Sequence, residues 1–173
     1  KMDSQGMMPE VLELAIRTTG AKVLVSDPTL QNPTGSSMGD DRRAAFVEVL
    51  RRQDILFVEE FVIGALSGTT PVSTEIKDKS ILITSFAKTV SPGLRFAMIA
   101  GEHPIIDKLN AEAHTTSWQL SPLIDTLACQ WINQGTAMQR LQWQRQEVQR
   151  RYNLFRSIFP SHQYAGNEQT SCH

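Results

Sequence analysis

Residues 80–101 read SILITSFAKTVSPGLRFAMIAG. Two apolar runs, Ser80–Phe86 and Leu94–Gly101, flank a Ser91-Pro92-Gly93 turn, and this pattern predicts two strands around it. Lys88 stands at the mouth of the first run, with Arg95 just beyond the turn. A lysine that only solubilises a surface needs no such setting. One whose amine does chemistry does.

Upstream of this stretch, helical and strand patterns alternate. PEVLELAIRTTG (9–20) predicts a helix, with Pro9 in its first turn and Gly20 as its stop. AKVLVSD (21–27) is short and β-branched, PTLQNPTGSSM (28–38) is rich in turn residues, and GDDRRAAFVEVLRRQ (39–53) is a helix with acids leading and arginines trailing. DILFVEE (54–60) predicts the next strand, and residues 64–79 are mostly loop. Downstream the character changes. Residues 104–115, 121–135 and 136–160 all carry helical patterns, the last with Met138, Leu141, Val148, Tyr152, Phe155 and Phe159 near a 3.6-residue period. The expected fold class is therefore α/β with a mostly parallel sheet over the first hundred residues, followed by helices. The expected organisation is a large-domain portion over 1–135, a long connecting helix over 136–160 and a polar tail over 161–173.

Composition narrows the function. The 173 residues are 40% hydrophobic and 20% charged, with a formal net charge of −1. That suits an ordinary globular core and argues against a nucleic-acid-binding surface in this chain. The arginines of the last helix are read as its solvated face. Cys129 and Cys172 are isolated, Cys129 being expected as a small buried apolar residue, and neither suggests a disulfide framework. His103, His114, His162 and His173 have no metal-ligand spacing. The opening KMDSQGMMPE has no apolar signal core, and no apolar run is long enough to span a membrane, so a cytoplasmic soluble domain is expected.

In an open parallel sheet, ligands bind outside the carboxyl ends of the strands. Three such ends carry polar groups here: Asn32 in NPTG after the first strand, Glu59 and Glu60 after the second, and Ser85 and Lys88 after the third, with Arg95 beyond. This set suits capture of a carbonyl by lysine. The amine must be unprotonated to attack, so partial burial and a neighbouring cation such as Arg95 would have to lower its pKa from about 10.4. Ser85 and Arg95 suit a phosphate, and a carboxylate in the same crevice would keep a pyridine nitrogen protonated. The plainer alternative is a strand-end lysine and arginine satisfied by loop carbonyls and surface carboxylates.

NPTG at Asn32–Gly35 and SFAKTVSPGLR at Ser85–Arg95, in that order with a strand and an acid between them, resemble the fold-type I, class I/II aminotransferase family. The flavour is most similar to the aminotransferase-like domain of GntR/MocR-type transcriptional regulators. The resemblance covers about residues 4–160. It implies a three-layer large-domain core, pyridoxal 5′-phosphate (PLP) as cofactor and Lys88 as the lysine that forms the internal aldimine. It implies further that Asn32 donates to the phenolic oxygen of the cofactor, that Asn32-Pro33 is a cis peptide, that Ser85 and Arg95 hold the phosphate, and that Glu59 pairs with the ring nitrogen.

Three departures stand out. Glu59-Glu60-Phe61-Val62 replaces a pattern of aspartates followed by tyrosine, so the phenolic oxygen loses a hydrogen bond worth about 1 kcal/mol. Ala87 stands where a serine is common. The family's upstream glycine-containing phosphate loop and its downstream small domain, with the carboxylate-gripping arginine, have no counterpart in this sequence. The resemblance implies a sensor that binds an amine or amino acid, reaches DNA only through a domain outside this chain, and forms a homodimer as a full-length protein. An active aminotransferase and a degenerate α/β dimerisation domain without PLP are the alternatives.

Overall fold

The computed structural model describes residues 1–113 and 121–159. At its centre is a four-stranded sheet in the order β3 (Val23–Ser26), β4 (Leu56–Glu60), β5 (Ser80–Ser85) and β6 (Ala97–Ala100). β3–β4 and β4–β5 pair parallel, and β5–β6 pair antiparallel. Connection length explains the difference. A parallel neighbour needs a crossover that returns the chain to the same end of the sheet. Helix α2 (Asp40–Arg52) provides one such crossover, and the segment between β4 and β5, with 3-10 turns at Gly64–Leu66, Val72–Glu75 and Lys77–Lys79, provides the other. Between β5 and β6 lie only the short helix α3 (Phe86–Thr89) and the turn Pro92–Leu94, so the chain comes back antiparallel. This is the α/β, mostly parallel sheet expected from the sequence.

The core forms where the apolar faces of α1 (Pro9–Thr19) and α2 meet the sheet. Leu12 and Ile16 from α1, and Phe46, Val47, Val49 and Leu50 from α2, pack with Ile55, Phe57, Val72 and Ile76. Phe46 meets Phe57 edge to face at 5.6 Å, a favoured aromatic geometry. On the opposite face of the sheet, Val23, Val25 and Ile99 are exposed, so among the described residues α1 and α2 cover one side only. A second apolar cluster joins Phe86, Val90 and Phe96 to Ala128 of α5 (Pro122–Asn133). Ala137, at the start of α6 (Thr136–Ile158), packs against it.

Three local features differ from the sequence reading. The opening residues form a hairpin, β1 (Met2–Asp3) and β2 (Gly6–Met7). It is tied to α2 by an Asp3–Arg42 ion pair at 2.7 Å and by Arg42 donating to the Met7 carbonyl at 3.3 Å. Cys129 is exposed and its neighbour Ala128 takes the buried position, because one residue turns the helix by about 100°. No residue of α6 is buried, so its apolar stripe is not a core face among the described residues. The segment predicted as helix over 104–115 is helical over α4 (Ile105–Ala113). His114, Thr115, Cys172, His162, His173 and the predicted tail lie outside the described residues.

Candidate functional site

The parallel register sets Ser26 beside Glu59 and Glu60 beside Ile83, so the carboxyl ends of β3, β4 and β5 share one edge. The loop leaving β3 is built by short-range hydrogen bonds. Asp27 accepts from the Leu30 amide at 3.0 Å, the Gln31 side chain accepts from the Thr34 amide at 3.0 Å, and the Gly35 amide donates to the Gln31 carbonyl at 2.7 Å. Within this loop the Asn32-Pro33 peptide is cis. Asn32 lines a cavity of about 320 Å3 together with Asp27, Ser36 and Glu60, and the hairpin residues Met2 and Met7 form another wall. Gly6, with φ of +90°, takes a backbone conformation that side chains rarely adopt, and this lets the hairpin turn against the loop beside Ser36.

The two glutamates of β4 are separated by strand alternation. Glu59 is fully buried, and its two oxygens accept from the backbone amides of Val72 and Ser73 at 3.0 and 2.6 Å. Burial pushes its carboxyl above the usual value, against those hydrogen bonds and the charge of Arg43. Glu60 is the carboxylate that lines the cavity with Asn32. Asp27, which the sequence reading did not single out, is pushed up to about 6, chiefly by burial, with the negative charges of Glu60 and Glu59 adding to it. Its position directly after a strand end was the available signal.

Lys88 sits on the single helical turn α3. Ser85 caps that turn, its hydroxyl accepting from the Ala87 amide at 2.9 Å. Phe86 and Thr89 take the inward positions and leave Lys88 exposed rather than partly buried. Arg95 is also exposed, in the left-handed region with φ of 51°. Ser85 lines a separate, largely apolar pocket of about 230 Å3 with Phe86, Val90, Met98 and Leu141. The structure thus brings Asn32 and Glu60 into one cavity. Ser85 ends β5, and Lys88 and Arg95 follow it, but none of the three lines that cavity.

The fold defines the class: this is the fold-type I aminotransferase fold. The kynurenine aminotransferase of Pyrococcus horikoshii, solved with PMP, superposes with a TM-score of 0.79 over 92% of this chain and 42% of that one, at 23% identity. In sequence, the chain is homologous to HTH-type transcriptional regulators and to aminotransferases. It is 30% identical to the uncharacterized HTH-type regulator YdfD of Bacillus subtilis, over 93% of this chain and 34% of the relative. It is 33% identical to PtsJ, a vitamin B6 salvage pathway transcriptional repressor of Salmonella typhimurium, over 73% of this chain and 30% of the relative. It is 28% identical to an aromatic amino acid aminotransferase of Schizosaccharomyces pombe, over 91% and 39%. The chain spans about a third of the length of the regulators it matches. No protein-family model matches it.

Proposed function

We propose that this chain is the PLP-binding, aminotransferase-like effector domain of a GntR/MocR-family transcriptional regulator, which senses an amine or amino acid through Lys88. One observation carries the reading: similarity to an HTH-type regulator extends over 93% of the chain, across both NPTG and the lysine motif. Residues 1–135 would be part of the cofactor-binding domain and 136–160 the helix leading out of it. DNA contact would belong to another domain of a cytoplasmic homodimer.

The residues suit the cofactor. Bound PLP supplies an aldehyde for amines and an electron-withdrawing ring. The Asn32 amide can donate to the phenolic oxygen, and Glu60 can accept from a protonated ring nitrogen, both from one cavity wall. Glu60 suits that role better than Glu59, because both oxygens of Glu59 are committed to backbone amides. Lys88 offers its amine from a capped turn whose backbone is held by Phe86 and Thr89. The Ser85 hydroxyl accepts at its cap and keeps its own proton to donate to a phosphate oxygen, and Arg95 brings the matching charge.

Borohydride reduction of the intact protein with PLP, followed by peptide mapping, tests this. A pyridoxyl adduct confined to Lys88, and lost in Lys88→Ala, is the expected result. Scattered or absent labelling overturns it. Similarity to aminotransferases favours a second reading, an active transaminase in which Lys88 also moves a proton at the substrate carbon. Single-turnover conversion of amino donors to oxo acids separates the two.

A further inference from the structure

We infer that Glu59 is a positioning residue whose buried carboxylate aims Glu60 into the cavity. Its ligand-binding consequence rests on the proposed contact of Glu60 with the cofactor ring. The two side chains are neighbours on β4 and must point to opposite faces of the sheet. Which one faces the cavity depends on register, since a slip of one residue would exchange them. The Glu59 carboxylate helps to fix that register. It accepts from the Val72 and Ser73 amides at the start of the 3-10 turn Val72–Glu75, with no exposed surface of its own.

The turn that receives Glu59 is itself clamped. Arg43 of α2 donates to the carbonyls of Thr70 and Pro71 at 2.6 and 2.8 Å and to the Glu75 carboxylate at 2.7 Å. Ser80, at the start of β5, donates to the carbonyls of Ser73 and Ile76. The amides that grip Glu59 are therefore held from α2 on one side and from β5 on the other. Beyond Glu60 the pairing continues, with the Phe61 amide donating to the Ile83 carbonyl at 2.8 Å. Glu60 is the strand's last residue, and the Glu59 anchor one position earlier adds to the pairing of β4 with β3 and β5 in holding its carboxylate toward the cavity. Burial of a carboxylate is costly, and the two amide hydrogen bonds of Glu59 offset that cost.

A double-mutant cycle of Glu59→Gln and Glu60→Gln tests the assignment in the intact protein, with two readouts. The first needs no cofactor: carbon-13 NMR titration of the Asp27 carboxyl, which feels the Glu60 charge across the cavity and, more weakly, the Glu59 charge, the latter lost equally in both backgrounds. The second is PLP affinity. If Glu59 acts through Glu60, Glu59→Gln moves the Asp27 midpoint clearly downward in the wild-type background and much less in the Glu60→Gln background. PLP affinity then falls about tenfold in the first background and less than about twofold in the second. Equal effects in both backgrounds, or no effect in either, overturn the inference. Coupled Asp27 shifts without PLP binding uphold the positioning role and overturn the cofactor reading instead. Should Glu59→Gln fail to fold, Val72→Pro removes one of the two amide donors. It follows Pro71, whose φ of −57° and ψ of 145° accept a following proline. It is expected to give the same coupled pattern, and a pattern independent of Glu60 would overturn the inference just as directly.

Discussion

Arg145 of α6 donates from Nε and Nη2 to a single acceptor, the carbonyl oxygen of Ala65, at 3.0 and 2.7 Å. Ala65 belongs to the 3-10 turn Gly64–Leu66, just after Ile63, which lines the Asn32 cavity. Because α6 buries no residue, this polar fork is a main tie between the long helix and the sheet edge. Arg145→Ala removes both bonds and is expected to cost about 1–2 kcal/mol. The check is a lower urea midpoint at unchanged slope. Arg145→Lys should recover less than half of the loss, because an ammonium does not reproduce the planar fork.

Asp27 makes stability depend on pH. Burial, with the charge of Glu60 and Glu59, pushes its carboxyl up from 3.8 to about 6. The folded state thus holds the Asp27 proton more tightly than the unfolded chain does. The ionised form is a liability above pH 6, and the penalty fades as pH falls through 6 and is gone below about 4. A shift of this size corresponds to about 3 kcal/mol if unscreened. Asp27 keeps partial contact with water, which reduces the expected effect to about 1 kcal/mol. Asp27→Asn, which keeps an acceptor for the Leu30 amide, should therefore be more stable than wild type at pH 7–8 and equal to it near pH 4. Denaturation curves at the two pH values decide it.

Much of this architecture is legible in local sequence. β3, β4 and β5 fall inside runs rich in β-branched and aromatic residues, β6 falls in an apolar run, and α1 and α2 carry apolar periods, because buried elements must repeat their side-chain pattern. What escapes is either too short or decided at a distance. The hairpin of Met2–Asp3 and Gly6–Met7 has two residues per strand, too few to alternate visibly. Helix α3 around Lys88 is one turn long and has no period. Alternation shows that Glu59 and Glu60 face apart, but which one enters the cavity depends on amides 13 and 14 residues away from Glu59. The exchange of Cys129 for Ala128 as the buried residue of α5 is likewise set by its partners Phe86, Val90 and Phe96.

Thr29, in the loop between β3 and Asn32, buries its hydroxyl with no hydrogen-bond partner among the described residues. A buried donor left unmatched costs free energy, and valine has nearly the same shape without the hydroxyl. Thr29→Val is expected to stabilise the protein by about 1 kcal/mol, seen as a higher urea midpoint. A loss of stability would mean that the hydroxyl is bonded in solution.

Arg95 is, among the described residues, the one non-glycine with positive φ, at φ 51° and ψ 33°. A left-handed conformation costs a residue with a Cβ about 1–2 kcal/mol, and glycine avoids that cost. Stability and the proposed phosphate role therefore pull in opposite directions at this position. Arg95→Gly should leave the urea midpoint unchanged or raise it, while weakening PLP binding about tenfold or more through loss of a charge-assisted contact. Arg95→Lys keeps both the backbone cost and the charge, so its affinity should fall between the two while its stability stays near wild type. If Arg95→Gly binds PLP as tightly as wild type, Arg95 is not a phosphate ligand, and its strained backbone serves only the turn into β6.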